Sequence, residues 1–464
     1  MVCCRPGSIA RSRNATLLRS FARCRQLCIK CNQSSAAAPV TIIGGGAAGL
    51  TAAFFAASEG AKVTVLERTR EVGKKILISG GARCNVLPME VDVQQDFFTE
   101  SSPSALRAIF SSWTLDGCKQ WLEDDIGLPL ATEDDSMKYF PASNSSREVR
   151  DRMLAACHRM GVEVLCKAPV TGVARDPESG QWRLRLEDGS EHASSCIVMA
   201  TGGLSFPKMG TDGLGHRLVQ RLGHSMHPLY PALTPLRGSH PAEGQLAGLS
   251  LYNAEISCSP AAGEGKKRRK GARAHRSAFL FTHRGYSGPS ILDLSHSITM
   301  ALERGQPLPV LQANWLGDSR EAWQERISAA AGASSVGSLL RKHGLPQRLS
   351  EALCAELGLE ARRVAELRKA ERSELLDKLT GYPLPFSGHE GYAKAEVTGG
   401  GVPLSEVNCS SMESRLLPGV FLCGEILDVF GRIGGFNFYW AWVSGRLAGL
   451  NVASRLHSQK SDST

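Results

Sequence analysis

Aromatic residues are only 6% of this 464-residue chain, no run approaches 18 apolar residues, and no Asp or Glu occurs before Glu59. The missing apolar run excludes a membrane-spanning helix. The missing acids mark residues 1–38 as a separate segment. It carries Arg5, Arg11, Arg13, Arg19, Arg23, Arg25 and Lys30, is rich in Ser and Ala, and has no compact apolar core. That is the composition of an organelle transit peptide rather than a secretory signal. The Ser and Ala around "CNQSSAAAPV" favour a plastid (chloroplast) over a mitochondrion. Without this leader the formal charge of +9 falls to +2, so net charge says little about partners.

The chain also lacks the usual carriers of protein-borne chemistry. Five of its fourteen cysteines lie in the leader, and the other nine show no metal-ligand or disulfide rhythm. HExxH and any CxxC outside the leader are absent, no metal site is expected, and no nucleophile is set beside a base. Chemistry must then come from a bound cofactor.

The sequence supplies a place for one. "PVTIIGGGAAGLTAAFFAASEGAKVTVLE", residues 39–67, has a β-branched run, a GxGxxG at Gly44, Gly46 and Gly49, an apolar helix ending near Gly60, and a second strand ending in Glu67. This is the order of a dinucleotide-binding βαβ unit. Gly44 permits the turn, Gly46 lets backbone approach a diphosphate, and Gly49 lets helix and strand pack. Ala47 and Ala48 open the helix whose N–H groups face the anion. Glu67, with Arg68 beside it, stands where a carboxylate accepts from ribose hydroxyls and repels a 2′-phosphate. The nucleotide is therefore FAD or NAD. "REVGKKILISGGARCNV", 70–86, follows at once. Its Lys74, Lys75, Gly80, Arg83, Cys84 and Asn85 suit the longer FAD, with Arg83 and Asn85 contacting the cofactor or holding the loop that does. Cys84 has no second cysteine nearby and is not expected to shuttle electrons.

Ordered blocks, "GGGAAGL", "GKKILISGGARCN", "ATGGLSFPKMGTDGLGHRLVQRLGH", "LYPALTPL", "FTHRGYSGPSILDLS", "AEVTGGGVPLSEV" and "GEILDVFGRIGGFNFYWAW", resemble the YhiN/BaiN-type FAD-dependent oxidoreductases over residues 40 to 450. The resemblance implies an α/β fold. A discontinuous Rossmann-like FAD-binding domain (39–236 and 391–464) would hold an inserted β-barrel domain (237–390), itself interrupted by a small helical subdomain (about 318–380). The Pro-spaced "HPLYPALTPL" fits a crossing between domains. Val170 would meet the adenine, and Thr201, Gly202 and Gly203 would pass the chain beside the nucleotide.

At the C-terminal return, a strand at 420–423 runs into Gly424 and Glu425. In flavoproteins of this class an acid there accepts from the ribityl chain, with Asp428 the alternative. Gly434, Gly435, Phe436 and Asn437 then open a long helix whose positive N-terminal end favours the reduced flavin. Positions 436, 439, 440 and 443 share a packing face; Phe438 and Trp442 lie elsewhere on the helix and either pack in the core, as each aromatic here is first expected to do, or wall the substrate side.

The expected activity is hydride transfer between flavin and a small organic substrate, with NAD(P)H as a transient donor; some relatives reduce a conjugated C=C bond and others oxidise amines. One departure is "EGKKRRKGARAHR", 264–276, with seven Lys or Arg. It supports an alternative, a flavin-containing RNA-associated or assembly protein. Without interleaved aromatics it reads first as a solvated loop, and nucleic acid is not the expected partner. Oligomeric state leaves no mark in the sequence.

Overall fold

A computed structural model describes residues 38–133, 137–244, 246–260, 273–330 and 334–461. The transit-peptide segment up to residue 37 and residues 261–272 of the basic segment lie outside the described residues.

The β-branched run after the leader forms β1 (Ala38–Ile43), followed by α1 (Ala47–Ser58) and β2 (Val63–Glu67). Val40 and Ile42 are fully buried, as expected of a strand covered on both faces. α2 (Ser146–Arg159) leads to β3 (Glu163–Cys166), which pairs in parallel outside β2. β4 (Val170–Arg175), β5 (Trp182–Leu186) and β6 (Glu191–Met199) form an antiparallel meander, turning at Asp188–Gly189 as the hairpin signal predicts. The second half of β6 pairs in parallel with β1. β7 (Val420–Leu422) returns from far along the chain to pair in parallel with β6 at Ile197–Met199. The seven strands form one sheet, so the discontinuous α/β domain is present as expected.

The Pro-spaced segment His227–Ala232 pairs only with Val397–Gly401, in a two-stranded antiparallel ribbon. Between these strands lies the inserted region. Its sheet has seven strands in the order Tyr382–Pro383, Val310–Asn314, Ser250–Ser259, Arg273–Thr282, Gly285–Ser287, Leu236–Arg237 and Gly388–His389. The end strands of this expected barrel do not pair with each other among the described residues. Helix α3 (Pro289–Glu303) packs on this sheet, and four helices between Arg320 and Thr380 fill the expected helical stretch.

The chain ends in α4 (Phe436–Ser461), which lies along α1. The contact is backbone on backbone. A Cβ on Gly445 would stand 2.6 Å from the Ala48 carbonyl oxygen, and one on Gly449 would stand 2.5 Å from that of Ala52. The aromatic stretch is core. Tyr439 donates from its hydroxyl to the Trp113 carbonyl and Trp442 from its indole to that of Val86. Trp442 is fully buried against Trp121. It therefore belongs to the core, the first of its two readings, with its N–H on a buried acceptor and its ring against Trp121 and Phe438. Replacing Gly445 with Val should cost about 1–3 kcal/mol through overpacking. Thermal unfolding should show a midpoint a few degrees lower; an unchanged midpoint would mean that the two helices do not need this approach.

Candidate functional site

The C-terminal edge of β1, β2 and β6 opens into a cleft of about 430 Å³. At one end stand Gly44, Gly46, Ala47, Ala48, Glu67, Arg68 and Val170. Gly46 caps α1 in extended backbone with no side chain bonded to the first turn. A Cβ there would meet nothing within 4 Å, whereas one on Gly49 would lie 1.9 Å from the Gly44 carbonyl oxygen. Thus Gly49 serves packing behind the wall, and Gly46 leaves space before unpartnered N–H groups. That space, with the helix dipole, suits a diphosphate. Glu67 accepts from the Gly45 N–H (2.9 Å) and the Thr69 N–H (2.7 Å), which fixes its carboxylate while it still lines the cleft. Thr201 and Gly202 line the same end, and the Thr201 hydroxyl is buried without a partner among the described residues. A buried orphan hydroxyl calls for an acceptor or donor from a ligand. These features fit the dinucleotide half of FAD.

Midway, Lys74, Lys75, Gly80, Asn85, Gly424 and Glu425 line the wall. Gly424 is clamped by α4: its N–H donates to Ser444 Oγ and its carbonyl accepts from the Trp440 indole. That sets Glu425, whose Oε2 meets Lys75 Nζ at 2.7 Å and whose Oε1 accepts from Ser205 Oγ and the Thr398 N–H, both at 2.9 Å. Burial alone would raise the Glu425 carboxyl; the Lys75 ammonium and these hydrogen bonds outweigh it and hold it below its ordinary value. At the far end Gly434, Gly435, Asn437 and Phe438 line the cleft. Asn437 also closes its own loop, exchanging two hydrogen bonds with Gly431.

Other predicted residues stand off the cleft wall. Arg83 turns to Glu133 and Asn144 and covers the Phe140 ring. Cys84 is fully buried, and burial pushes its thiol up to about 12, against a Ser79 hydrogen bond, so it holds no reactive thiolate. Gly203 lies behind the wall, with Thr398 and Glu425 where a Cβ would be. Asp428 points the other way, accepting from the Glu100 N–H and the Thr99 hydroxyl. Phe436 packs edge-on to Phe97 beneath the Arg432 guanidinium.

Sequence reasoning missed Phe206, Leu292, Asp212 and Glu396, all of which line the cleft. Only Glu396 carried a signal, as the carboxylate opening the "AEVTGGG" block. It also missed Asp293 of α3, which accepts from the Ile433 N–H at 2.7 Å and faces His275 Nε2 at 3.3 Å. Burial raises the Asp293 carboxyl to about 7; the Ile433 N–H, Arg432 and Lys138 oppose this, and Asp96 adds to it. Because its folded-state value is raised, the folded protein holds this proton to higher pH than the unfolded chain. Stability is therefore lost as pH rises from about 4 to about 7. Asp293→Asn keeps an acceptor for Ile433 and removes this loss. Its melting temperature relative to the native protein should climb across that window and level off above it, and a flat difference would overturn the assignment.

Among the described residues, no helix is long and apolar enough to cross a membrane, and no group of His, Cys, Asp and Glu is placed to hold a metal. Residues 38–451 match the family model described as HI0933-like protein Rossmann domain. The chain is 31% identical over 412 residues to the ribosomal RNA dihydrouridine synthase of Escherichia coli (strain K12), covering 87% of this chain and 95% of that one. It is 28% identical over 425 residues to the 3-dehydro-bile acid delta(4,6)-reductase of Clostridium scindens, covering 90% and 99%. Among solved structures, it is similar to the open conformation of a flavocytochrome c3 fumarate reductase, with a TM-score of 0.48, 15% identity and coverage of 96% and 82%.

Proposed function

We propose that this chain, which belongs to the HI0933-like Rossmann family and is an FAD-dependent oxidoreductase, reduces a carbon–carbon double bond conjugated to a carbonyl. The observation that carries the reading is the shared bond change in its relatives. Making dihydrouridine saturates the uracil C5=C6 bond beside the C4 carbonyl, and a delta(4,6)-reductase saturates carbons conjugated to the 3-oxo group. Both substrates need a hydride at a carbon made electrophilic by conjugation with the carbonyl, β in the uracil ring and β or δ in the dienone, and a proton at the other carbon of the double bond.

FAD, when bound, supplies the hydride after accepting electrons from NAD(P)H. The chain's own residues would do the rest. Gly44, Gly46 and the first turn of α1 would take the diphosphate, and Glu67 the ribose. Lys75 and Glu425 present a fixed charge pair midway along the cleft. The N-terminus of α4, with Gly434, Gly435 and Asn437, would place its positive end where negative charge gathers on reduction.

Of the two substrate classes, we favour a uracil ring in ribosomal RNA. The support is the Escherichia coli relative and the five consecutive cations Lys266–Lys270, which suit a phosphate backbone. The second reading, a small polycyclic dienone, rests on the Clostridium relative. The acid-free leader supports an organelle, a plastid rather than a mitochondrion, as the site of action.

The test is anaerobic. NADH or NADPH should bleach the yellow protein, and a ribosomal RNA transcript should restore the colour with formation of dihydrouridine. Neutralising Lys266–Lys270 should weaken turnover of the transcript and flatten its salt dependence, while leaving a steroid dienone unaffected. Reoxidation by the dienone alone would favour the second reading, and reoxidation by neither would end both.

A further inference from the structure

Saturating a conjugated alkene needs an acid as well as a hydride source, and the cleft has several carboxylates that could be that acid. Most are already committed. Glu67 receives two backbone N–H groups. Glu71 meets Arg150 Nη1 at 2.9 Å. Asp212 meets Arg68 Nη1 at 2.6 Å, and Glu425 is held by Lys75, Ser205 and Thr398. Glu396 differs. It lines the cleft, its side chain is exposed there, and it makes no side-chain hydrogen bond or ion pair among the described residues.

Its placement is fixed all the same. The Glu396 N–H donates to the Leu233 carbonyl, and two residues on Thr398 bridges Leu204 and Glu425. Lys75 is the cation that faces Glu396, but its ammonium already contacts Glu425 and Ser205. Glu396 keeps accessible surface only toward the cleft, whose walls desolvate its carboxyl and raise it above its ordinary value, and Lys75 only partly opposes this. A cofactor and substrate filling the cleft would displace water and push in the same direction.

Building on the alkene-reductase reading, we infer that Glu396 is the proton donor to the α-carbon. The β-carbon takes the hydride supplied by reduced FAD. The π electron pair moves to the α-carbon, conjugated with the carbonyl, and the Glu396 O–H proton goes to that carbon. The carboxylate left behind regains its proton from water, so the alkene gains two electrons and two hydrogens.

The test uses FAD-loaded native protein, Glu396→Gln and Glu396→Asp, with 2-cyclohexenone and a ribosomal RNA transcript as probes. Glu396→Gln should keep its flavin spectrum and its rate of reduction by NAD(P)H. Its rate of reoxidation by whichever probe the native protein reduces should fall by about 10²–10⁴-fold, with Glu396→Asp restoring part of it. Infrared titration of native minus Glu396→Gln protein should show one carboxyl with a midpoint above that of an ordinary glutamate. Native-like reoxidation by Glu396→Gln or an ordinary midpoint would each overturn the assignment while leaving the alkene-reductase reading intact. A native protein that reduces neither probe would overturn both.

Discussion

The structure depends on how closely α1 is packed. This helix is apolar nearly all round, and its neighbours reach its backbone rather than its side chains. β1 and the turn after β6 close in through Gly44, Gly49 and Ala200, and α4 closes in through Gly445 and Gly449. A helix held this way cannot fray or tilt without opening core on two sides. Its first-turn N–H groups therefore stay aimed at the cleft without a capping side chain. The same contact sets α4, and α4 in turn clamps Gly424 and presents Gly434 to Phe438. Three distant passes of the chain are thus brought to one cleft by close backbone packing, not by polar bonds across it.

Charge in the cleft follows from that rigidity. Partly burying Lys75 with Glu425 costs desolvation that a loose pair would not recover. The pair is tolerable because Ser205 and the Thr398 N–H complete the carboxylate's shell. Carboxyls whose partners do not outweigh burial behave differently. Asp293 is raised to about 7 by burial, which the Ile433 N–H, Arg432 and Lys138 only partly oppose. Asp428 is raised to about 6 by burial, despite the Glu100 N–H and His227. Both sit beyond the wall, and among the described residues Glu396 is the cleft carboxylate without a side-chain partner. The cleft thus combines fixed charges with one adjustable carboxyl.

Much of this could be read from the sequence because it is local. The βαβ unit, the strand running into Gly424 and Glu425, and the helical middle of the inserted region are each set by neighbours within a few residues. The errors lie where a side chain's direction is decided by a distant segment. Arg83 and Cys84 adjoin Asn85, which lines the cleft, but Cys84 takes a positive φ of 62° and the chain turns both side chains away. Asp428 follows Glu425 by three residues, yet its carboxylate is claimed by Thr99 and Glu100, more than 300 positions earlier. Helical spacing separated Phe438 and Trp442 from their neighbours. Only packing against Trp121 and Val86 decides that Trp442 is core, while Phe438 stacks on it and reaches the cleft. The "AEVTGGG" block marks Glu396 as a carboxylate near the return strand, but that it has no side-chain partner among the described residues is decided by distant segments.

The inserted region bears on specificity. Among the described residues it contributes a single member of the cleft wall, Leu292 of α3. Relatives that act on a nucleobase and on a bile acid can therefore share nearly the whole cofactor surround, and their difference must be sought on the faces that the inserted sheet and helices present beyond it. The adjoining Asp293 ties the two regions together, because its bond to the Ile433 N–H fixes the residue immediately before Gly434 and Gly435. Movement of α3 would pull directly on the loop that opens α4. The dinucleotide half of the cleft, by contrast, is anchored separately through α1.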